Sequence, residues 1–405
     1  MKILLIADGL EGSDLSESAI WLTDVVARWA ERGHHVQVLC LRPPEAWQEP
    51  EDPPGVTVFR PSRDVFEEVL GEALAVEPEV VHVATSGPLG PRVIEILREL
   101  PVLLDVHDYW PICPNDDLMR RPRLSACGEH YPFQGCGACA GLSRLRAMDE
   151  RAALAASARI VVTHSSFNRV RLNAGLGRPI ELLDYGVDTT RFCAEPAPPQ
   201  SPEIAALLSA SERPRVLFLG PPTHARGAGV LLDLLVALRA RLPDAEFVVA
   251  GRDPGNPDWH HMFLTEAREM GLSQHARALP SVPPGDLAAL VACCQVAIAP
   301  AVGPEAGGLF MLQAMAAGLP IVASPLGSIQ DLVRQGEEGL LVSPKDTSAF
   351  ATALWTLLID PMARISFGES GRLTVIERHD FERTLLQLEE TYHRLSATPG
   401  CRAAA

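Results

Sequence analysis

The chain has 405 residues, of which 47% are hydrophobic and 21% charged, and its formal net charge at pH 7 is −16. This length is too great for one hydrophobic core and predicts two domains, and the composition is typical of soluble globular proteins. The negative charge argues against a general nucleic-acid-binding protein and against attachment to a membrane surface through basic residues. No apolar run approaches the ~20 residues that a membrane span needs.

The chain begins with an apolar segment, residues 2–7, which is too short for a signal peptide and predicts a first buried strand. We therefore expect a cytoplasmic protein. Nine cysteines in such a protein are expected to be thiols or metal ligands rather than a disulfide framework.

Strand-like and helix-like segments alternate through the first half of the chain, which predicts a parallel α/β sheet. Ser16 or Ser18 is the expected N-cap of the first helix. The predicted strands are 2–7, 36–41, 56–60, 80–84, 102–106, 159–163 and 180–183, and the predicted helices are 16–32, 64–75, 89–100, 144–157 and a helix after Ser165. The alternation is interrupted between residues 109 and 140.

Residues 194–202 are rich in proline and alanine and are expected to link the two domains. A second α/β series then begins. Its predicted strands are 215–219, 246–250, 277–279, 296–299, 321–324 and 339–342, with a helix at 229–241 and two long C-terminal helices that are broken near Asp360-Pro361.

Residues 305–320 begin with an acid, Glu305, and a glycine pair, Gly307-Gly308, and continue as an apolar helix that contains Gln313. Glycines before a helix let backbone N–H groups approach an anion, and the helix dipole favours negative charge there. Glu305 and Gln313 can then face one cleft. The stretch therefore predicts a site for a diphosphate and its attached sugar.

Arg226-Gly227 lies in the loop between the strand 215–219 and the next helix. Loops at the carboxyl ends of parallel strands are where ligands bind in such sheets. An arginine there can hold a phosphate through charge-assisted hydrogen bonds, although a solvated loop arginine is the simpler interpretation of this residue alone. Together with the segment that starts at Glu305, it favours phosphate binding.

These segments resemble glycosyltransferase family 4 in order and spacing. The resemblance rests on five motifs: Arg32-Gly33-His34-His35-Val36, Tyr185-Gly186-Val187-Asp188 with Phe192, Arg226-Gly227, Pro300 with Glu305, and Gln313-Ala-Met-Ala-Ala-Gly-Leu-Pro. It implies the GT-B fold, in which two Rossmann-like domains face each other across a cleft. It also implies sugar transfer from a nucleotide donor with retention, without a metal on the diphosphate.

The resemblance implies three segments of the chain. They are an N-terminal acceptor-side domain (1–195) with a cysteine-rich insertion (109–140), a C-terminal nucleotide-sugar domain (203–375), and a last helix (376–398) that crosses back to the N-terminal domain. Its donor-binding residues would be Arg226, Gly227, Gly307, Gly308, Leu309, Gln313 and Gly12.

Carried over residue by residue, Glu305 matches the first acid of the family's Glu-x7-Glu motif, which faces the donor sugar. Gln313 stands where a second glutamate binds the ribose hydroxyls, and Arg226 replaces a lysine. Pro221 stands where a second phosphate-binding arginine is usual, with His224 as the nearby substitute. The glycine pair of the family's first loop is missing, and Ser16-Glu17 falls at that spacing.

His107, in His107-Asp108-Tyr109-Trp110, resembles a family histidine that reaches the donor sugar from the first domain. We expect His107 and Glu305 to be the catalytic residues. A lone histidine is otherwise more often structural.

Cys113, Cys127, Cys136 and Cys139 lie in the insertion, and Cys136-Gly137-Ala138-Cys139 has the Cys-x2-Cys spacing of zinc sites. Four cysteines also suit an iron–sulfur cluster, and reduced or disulfide-paired cysteines are equally compatible. No cofactor is expected to be required for the chemistry itself.

The leading hypothesis is a retaining, hexosyltransferase-like enzyme that uses a UDP- or GDP-sugar and an unidentified acceptor hydroxyl, in polysaccharide, glycolipid or natural-product biosynthesis. The alternative is a catalytically degenerate GT-B subunit that binds or scaffolds, because the donor-site motifs are altered. No nucleic acid is expected as a partner. Apolar residues around Trp21 and Trp29 could contact a membrane, although core packing is the simpler interpretation.

Overall fold

The structure is a computed structural model that describes residues 1–10, 16–41, 52–85, 87, 89–121, 123–129, 135–193, 195–209, 213–253 and 255–397. The chain divides into two compact units, here called the first unit (Met1–Asp184 with the chain from Thr384 onward) and the second unit (Tyr185–Arg383). The second unit begins before the proline-rich segment that was predicted as the linker. The reason is that the Val187 amide donates to the carbonyl of His379, a residue of the second unit, at 2.8 Å.

The first unit contains a seven-stranded parallel sheet in the order β3-β2-β1-β4-β5-β8-β9. Residues of β1, β4 and β5 are almost entirely buried, as expected for parallel strands covered on both faces. The strands are β1 (Lys2–Ala7), β2 (His35–Cys40), β3 (Val56–Phe59), β4 (Val80–Ala84), β5 (Val102–Val106), β6 (Met119–Arg120), β7 (Ser125–Ala126), β8 (Ile160–Thr163) and β9 (Glu181–Leu182), of which β6 and β7 form a separate antiparallel pair.

The helices of this unit follow the predicted order. They are α1 (Glu17–Glu31), α2 (Phe66–Leu74), α3 (Pro91–Arg98), α4 (Cys136–Ala140), α5 (Leu142–Ser157) and α6 (Ser166–Leu176). The Ser16 hydroxyl caps α1 by accepting from the Ala19 amide at 3.1 Å, which confirms the predicted helix start. Trp21 and Trp29 on this helix are at most 1% exposed, so they belong to the core, as the simpler interpretation of the sequence held.

The second unit contains a six-stranded parallel sheet in the order β12-β11-β10-β13-β14-β15. Its strands are β10 (Arg215–Leu219), β11 (Glu246–Ala250), β12 (Ala276–Leu279), β13 (Val296–Ala299), β14 (Ile321–Ala323) and β15 (Gly339–Leu341). Its helices are α7 (Pro202–Ser209), α8 (Leu231–Arg239), α9 (Trp259–Glu269), α10 (Leu287–Ala292), α11 (Leu309–Ala316), α12 (Ile329–Leu332), α13 (Thr347–Ile359) and α14 (Pro361–Arg378).

The C-terminal part of the chain forms α13, α14 and a last helix, α15 (Phe381–Ala397), which lies within the range 376–398 implied by the resemblance. The predicted break at Asp360-Pro361 is present: the Asp360 carboxylate accepts from the Met362 and Ala363 amides, both at 3.0 Å, and Pro361 begins α14. None of the helices in the described ranges is both long and apolar enough to cross a membrane.

Candidate functional site

The strand order of the second unit places two connections side by side. Numbered from β10, the sheet reads 3-2-1-4-5-6, so the chain leaves β10 and β13 toward opposite sides of the sheet. Such a switch point opens a crevice at the carboxyl ends of the strands. The two loops are joined there, since the Ala225 carbonyl accepts from the Val302 and Gly303 amides, both at 2.9 Å.

Arg226 and Glu305, both predicted to contact a donor, lie on these two loops and pair with each other. Arg226 Nε lies 3.2 Å from Glu305 Oε1, and the two side chains are 15% and 10% exposed. The guanidinium also lies over the Phe310 ring, 5.3 Å from its centroid. A half-buried arginine held by a carboxylate and an aromatic face is pre-organised to receive an anion.

Gly227 holds the Arg226 loop against β13. Its φ is +83°, and a Cβ added there would stand 2.0 Å from the Pro300 carbonyl oxygen. Neither the left-handed backbone nor this close backbone contact tolerates a side chain. The glycine of the predicted Arg226-Gly227 pair is therefore required by the local backbone, regardless of the ligand that the loop binds.

Gly227→Ala is expected to displace the Arg226 loop and to destabilise the second unit by about 1–3 kcal/mol or more, the cost of a strained backbone position. Gly229→Ala is the matched control, because a Cβ at Gly229 meets no atom within 4 Å and its backbone is unstrained. Denaturant unfolding of both variants measures the effect. Equal stability of the two variants would contradict this account of the loop.

The helix α11 starts at the same edge of the sheet. Gly308 precedes it with a φ of +89°, and a Cβ there would stand 2.5 Å from Leu332 Cδ1. The first helical amides, from Leu309 onward, have no partner within the helix and present partial positive charge. Gly307, Gly308 and Leu309 are thus placed as an anion-binding helix start would require.

Gln313 does not lie on an open surface. It is 2% exposed within α11, and its Oε1 is buried with no hydrogen-bond partner among the described residues. An unsatisfied buried acceptor costs about 1–3 kcal/mol. A ligand hydroxyl that donated a hydrogen bond to this oxygen would remove that unfavourable free energy.

Two serines that sequence reasoning missed share this property. The hydroxyls of Ser324 and Ser328 are buried without a hydrogen-bond partner in the described part of the chain. Ser328 Oγ lies 3.2 Å from the position of a Cβ at Gly308, and its amide donates to the Glu305 carbonyl at 2.9 Å. Both serines follow β14 at the carboxyl edge of the sheet. This position is the signal by which the sequence could have identified them as site residues.

In the first unit, His107 ends β5 beside a buried carboxylate. His107 Nε2 lies 3.3 Å from Asp105 Oδ2, and its ring stacks on His164 with centroids 4.5 Å apart. Burial lowers the pKa of His107, against the opposing effect of Asp105. A neutral imidazole at a strand end is suited to donate or accept a hydrogen bond rather than to supply charge.

Asp105 is the centre of a network within the first unit. Its carboxylate accepts from His164 Nε2 at 2.7 Å and from His82 Nε2 at 3.2 Å, and His82 Nδ1 is 2.6 Å from the Tyr392 hydroxyl. Burial by itself would raise the pKa of Asp105, but His107 and His164 hold it well below the usual range. The carboxylate is therefore ionised.

Both ring nitrogens of His164 are engaged within the protein. Nδ1 lies 2.7 Å from the Leu183 carbonyl, and Nε2 lies 2.7 Å from the Asp105 carboxylate. Asp105, His107 and His164 form the one group in the described ranges whose ligand-type atoms all lie within 4.8 Å of one another. Because neither nitrogen of His164 is left for a metal, we interpret this group as a buried hydrogen-bond network that supports His107.

The remaining predicted residues lie elsewhere. Gly12 falls outside the described residues. His224 is exposed beside Arg226, and Pro221 lies in the same loop. Four cysteines of the insertion are described, and none of them forms a disulfide; they are Cys113, Cys127, Cys136 and Cys139.

Two family models match the chain, one for each half. Residues 19–191 match "Glycosyltransferase Family 4", and residues 213–360 match "Glycosyl transferases group 1". Each half of the chain therefore resembles one glycosyltransferase domain, and the chain has the GT-B fold. The predicted fold class, α/β with two Rossmann-like domains, is confirmed.

Solved GT-B structures share the fold of this chain over nearly its whole length. Sucrose-phosphate synthase from Thermosynechococcus elongatus is 22% identical, with a TM-score of 0.76, and covers 98% of this chain and 100% of its own. Anabaena Alr3699/HepE in complex with UDP-glucose is 18% identical, with a TM-score of 0.72, covering 97% and 100%.

Curated relatives match over a shorter span. The D-inositol 3-phosphate glycosyltransferase of Corynebacterium urealyticum is 34% identical over 185 residues, which is 45% of this chain and 43% of that protein. The GDP-mannose-dependent alpha-(1-6)-phosphatidylinositol monomannoside mannosyltransferase of Mycolicibacterium smegmatis is 30% identical over 221 residues, covering 53% and 56%. The chain thus spans about half the length of the curated relatives it matches.

Proposed function

We propose that this chain is a retaining, nucleotide-sugar-dependent glycosyltransferase. The observation that carries the proposal is the Arg226–Glu305 pair, 3.2 Å apart at the switch point of the second sheet, with Glu305 on the loop that leads into α11. A cation, a carboxylate and the start of a helix together suit a diphosphate that bears a polyhydroxylated sugar. The names of the relatives support this class of donor.

The diphosphate binds Arg226 and the amides that follow Gly307-Gly308. These groups stabilise negative charge as the nucleoside diphosphate departs. To bind, the diphosphate shares or replaces the contact between Arg226 and Glu305. The Glu305 carboxylate is then available to accept hydrogen bonds from hydroxyls of the donor sugar.

Gln313 Oε1 accepts a ribose hydroxyl in this proposal. The atom is buried and has no described partner, so the ligand reaches it only after neighbouring side chains move. His107 is the proposed catalytic residue of the first unit. Its neutral imidazole, held beside Asp105, donates or accepts a single hydrogen bond.

In the transfer step, the bond between the anomeric carbon and the diphosphate oxygen breaks. The acceptor oxygen forms its new bond to the same carbon on the face that the diphosphate leaves. The departing diphosphate takes the proton of the acceptor hydroxyl. No metal is needed for charge balance at this site, because Arg226 and the helix amides face the diphosphate.

The test measures thermal unfolding of the protein with UDP-, GDP-, ADP- and TDP-sugars, followed by release of nucleoside diphosphate with and without acceptor candidates. We expect one base to stabilise the protein, by ~2.7 kcal/mol at a ligand concentration of about 100 times Kd. Inositol phosphates and phosphatidylinositol are the first acceptors to try, because the relatives' names point to them. Failure of every nucleotide diphosphate and sugar nucleotide to bind would favour a non-catalytic GT-B subunit.

A further inference from the structure

The insertion that follows β5 gathers four thiols around one pocket. The pocket has a volume of about 30 Å³, and its lining includes all four cysteines of the segment, Cys113, Cys127, Cys136 and Cys139. Four cysteines around one pocket offer the all-sulfur ligand set of a structural zinc site.

Two N–H donors contact one of the sulfurs. Cys139 Sγ accepts from the Arg121 amide at 3.1 Å and from Asn115 Nδ2 at 3.2 Å. Contacts of this kind form the outer shell that orients metal-binding cysteines.

Asn115 is itself fixed in orientation. Its Oδ1 accepts from Arg144 Nη1 at 2.8 Å, which leaves its amide nitrogen to donate to Cys139. Arg121 and Arg144 also place positive charge beside the thiols. Four thiolates around a divalent ion carry net negative charge, so these arginines offset it.

Core packing holds only the start of the segment, where Tyr109, Trp110 and Met119 are buried. Beyond them, the described elements are the exposed strand β7 and the helix α4, which has no buried residue. A metal cross-link is a common substitute for a hydrophobic core in such a segment.

We propose that these four cysteines bind one structural zinc ion. The thiols are not yet at ligand spacing, since they do not form a group within 4.8 Å in the described ranges. Zinc draws four sulfurs to ~2.3 Å from one centre, which requires the walls of the pocket to close. The ion thereby fixes the segment that follows His107, and this inference does not depend on the proposed transfer reaction.

The experiment measures zinc, iron and disulfides in the purified full-length protein by elemental analysis and intact mass. We expect about one zinc per chain, which Cys136→Ser and Cys139→Ser each abolish. Cys193→Ser is the matched control, because Cys193 is half-buried and lies outside the insertion. This variant should keep its zinc.

A second measurement keeps the proposal testable if those variants fail to fold. Wild-type protein loaded with cobalt should show thiolate-to-cobalt charge-transfer absorption. Asn115→Ala should weaken zinc about 10–100-fold in competition with a chelator, as loss of an outer-shell donor does. Absence of zinc and cobalt binding, bound iron with sulfide, or disulfides within the insertion would each overturn the zinc assignment.

Discussion

Replacing Arg226 by alanine is expected to lower kcat/KM for the nucleotide-sugar donor about 10²–10³-fold, which is the usual cost of one group that stabilises charge in the transition state. The guanidinium is 15% exposed and is held by Glu305 and by the Phe310 ring. Water in its place would supply neither its positive charge nor its paired N–H donors. Steady-state release of nucleoside diphosphate measures the loss. Arg226→Lys should retain part of the activity, because it keeps the charge and loses the paired N–H geometry.

Arg239→Ala is the matched control for Arg226→Ala. Arg239 lies at the far end of α8, where its Nε donates to the Pro243 carbonyl at 3.0 Å, and it should leave turnover unchanged. A double-mutant cycle with Glu305→Gln separates donor binding from the pairing of the two side chains in the free protein. Full donor turnover in Arg226→Ala would contradict the assignment of this edge as the diphosphate site.

Asp105→Ala is expected to destabilise the first unit by about 1–3 kcal/mol for each buried donor that loses its acceptor. The carboxylate is 1% exposed and accepts from His164 and His82, so its removal leaves two buried histidine N–H groups without this acceptor. Asp105→Asn should lose less, because the amide oxygen still accepts one of these bonds. Hydrogen exchange of the β5 and β8 amides measures the effect in the first unit.

Asp149→Ala provides the comparison for Asp105→Ala, since Asp149 is exposed on α5 and should leave protection in β5 and β8 unchanged. In Asp105→Ala, a loss of protection confined to the second unit would contradict the buried network. The absence of any loss of protection would contradict it as well.

The network also predicts how stability depends on pH. Because the pKa of Asp105 in the folded protein is depressed, its stabilising effect is present above the unfolded value of ~3.9 and is lost as the pH falls through the lower folded pKa.

The pKa of His107 is lowered by burial, so the free energy of unfolding should begin to fall as the pH drops below the unfolded histidine value of ~6.5. Asp105→Ala removes the group that raises the pKa of His107, and it should extend this decline to lower pH.

Local residue patterns predicted most of the second unit. The strands β10 and β11 match the predicted ranges because continuous apolar runs bounded by turn residues have few alternatives in a parallel sheet. The break at Asp360-Pro361 was also readable, since an N-cap carboxylate and a proline both act within one turn. The last helix was implied by the family resemblance rather than by a local pattern, and the residues before Phe381 pair with Val187, far away in the chain.

The sequence by itself determined that this chain is α/β. It also determined that Arg226-Gly227 follows a strand and that Glu305 and Gly307-Gly308 precede a helix. Those features depend on residues close together in the chain, where periodicity, capping and turn chemistry act. Only the tertiary structure decided that Arg226 pairs with Glu305, and that Gln313, Ser324 and Ser328 have buried polar atoms without a partner among the described residues. Each of these depends on which strands become neighbours, and sheet order brings together residues that no local pattern relates.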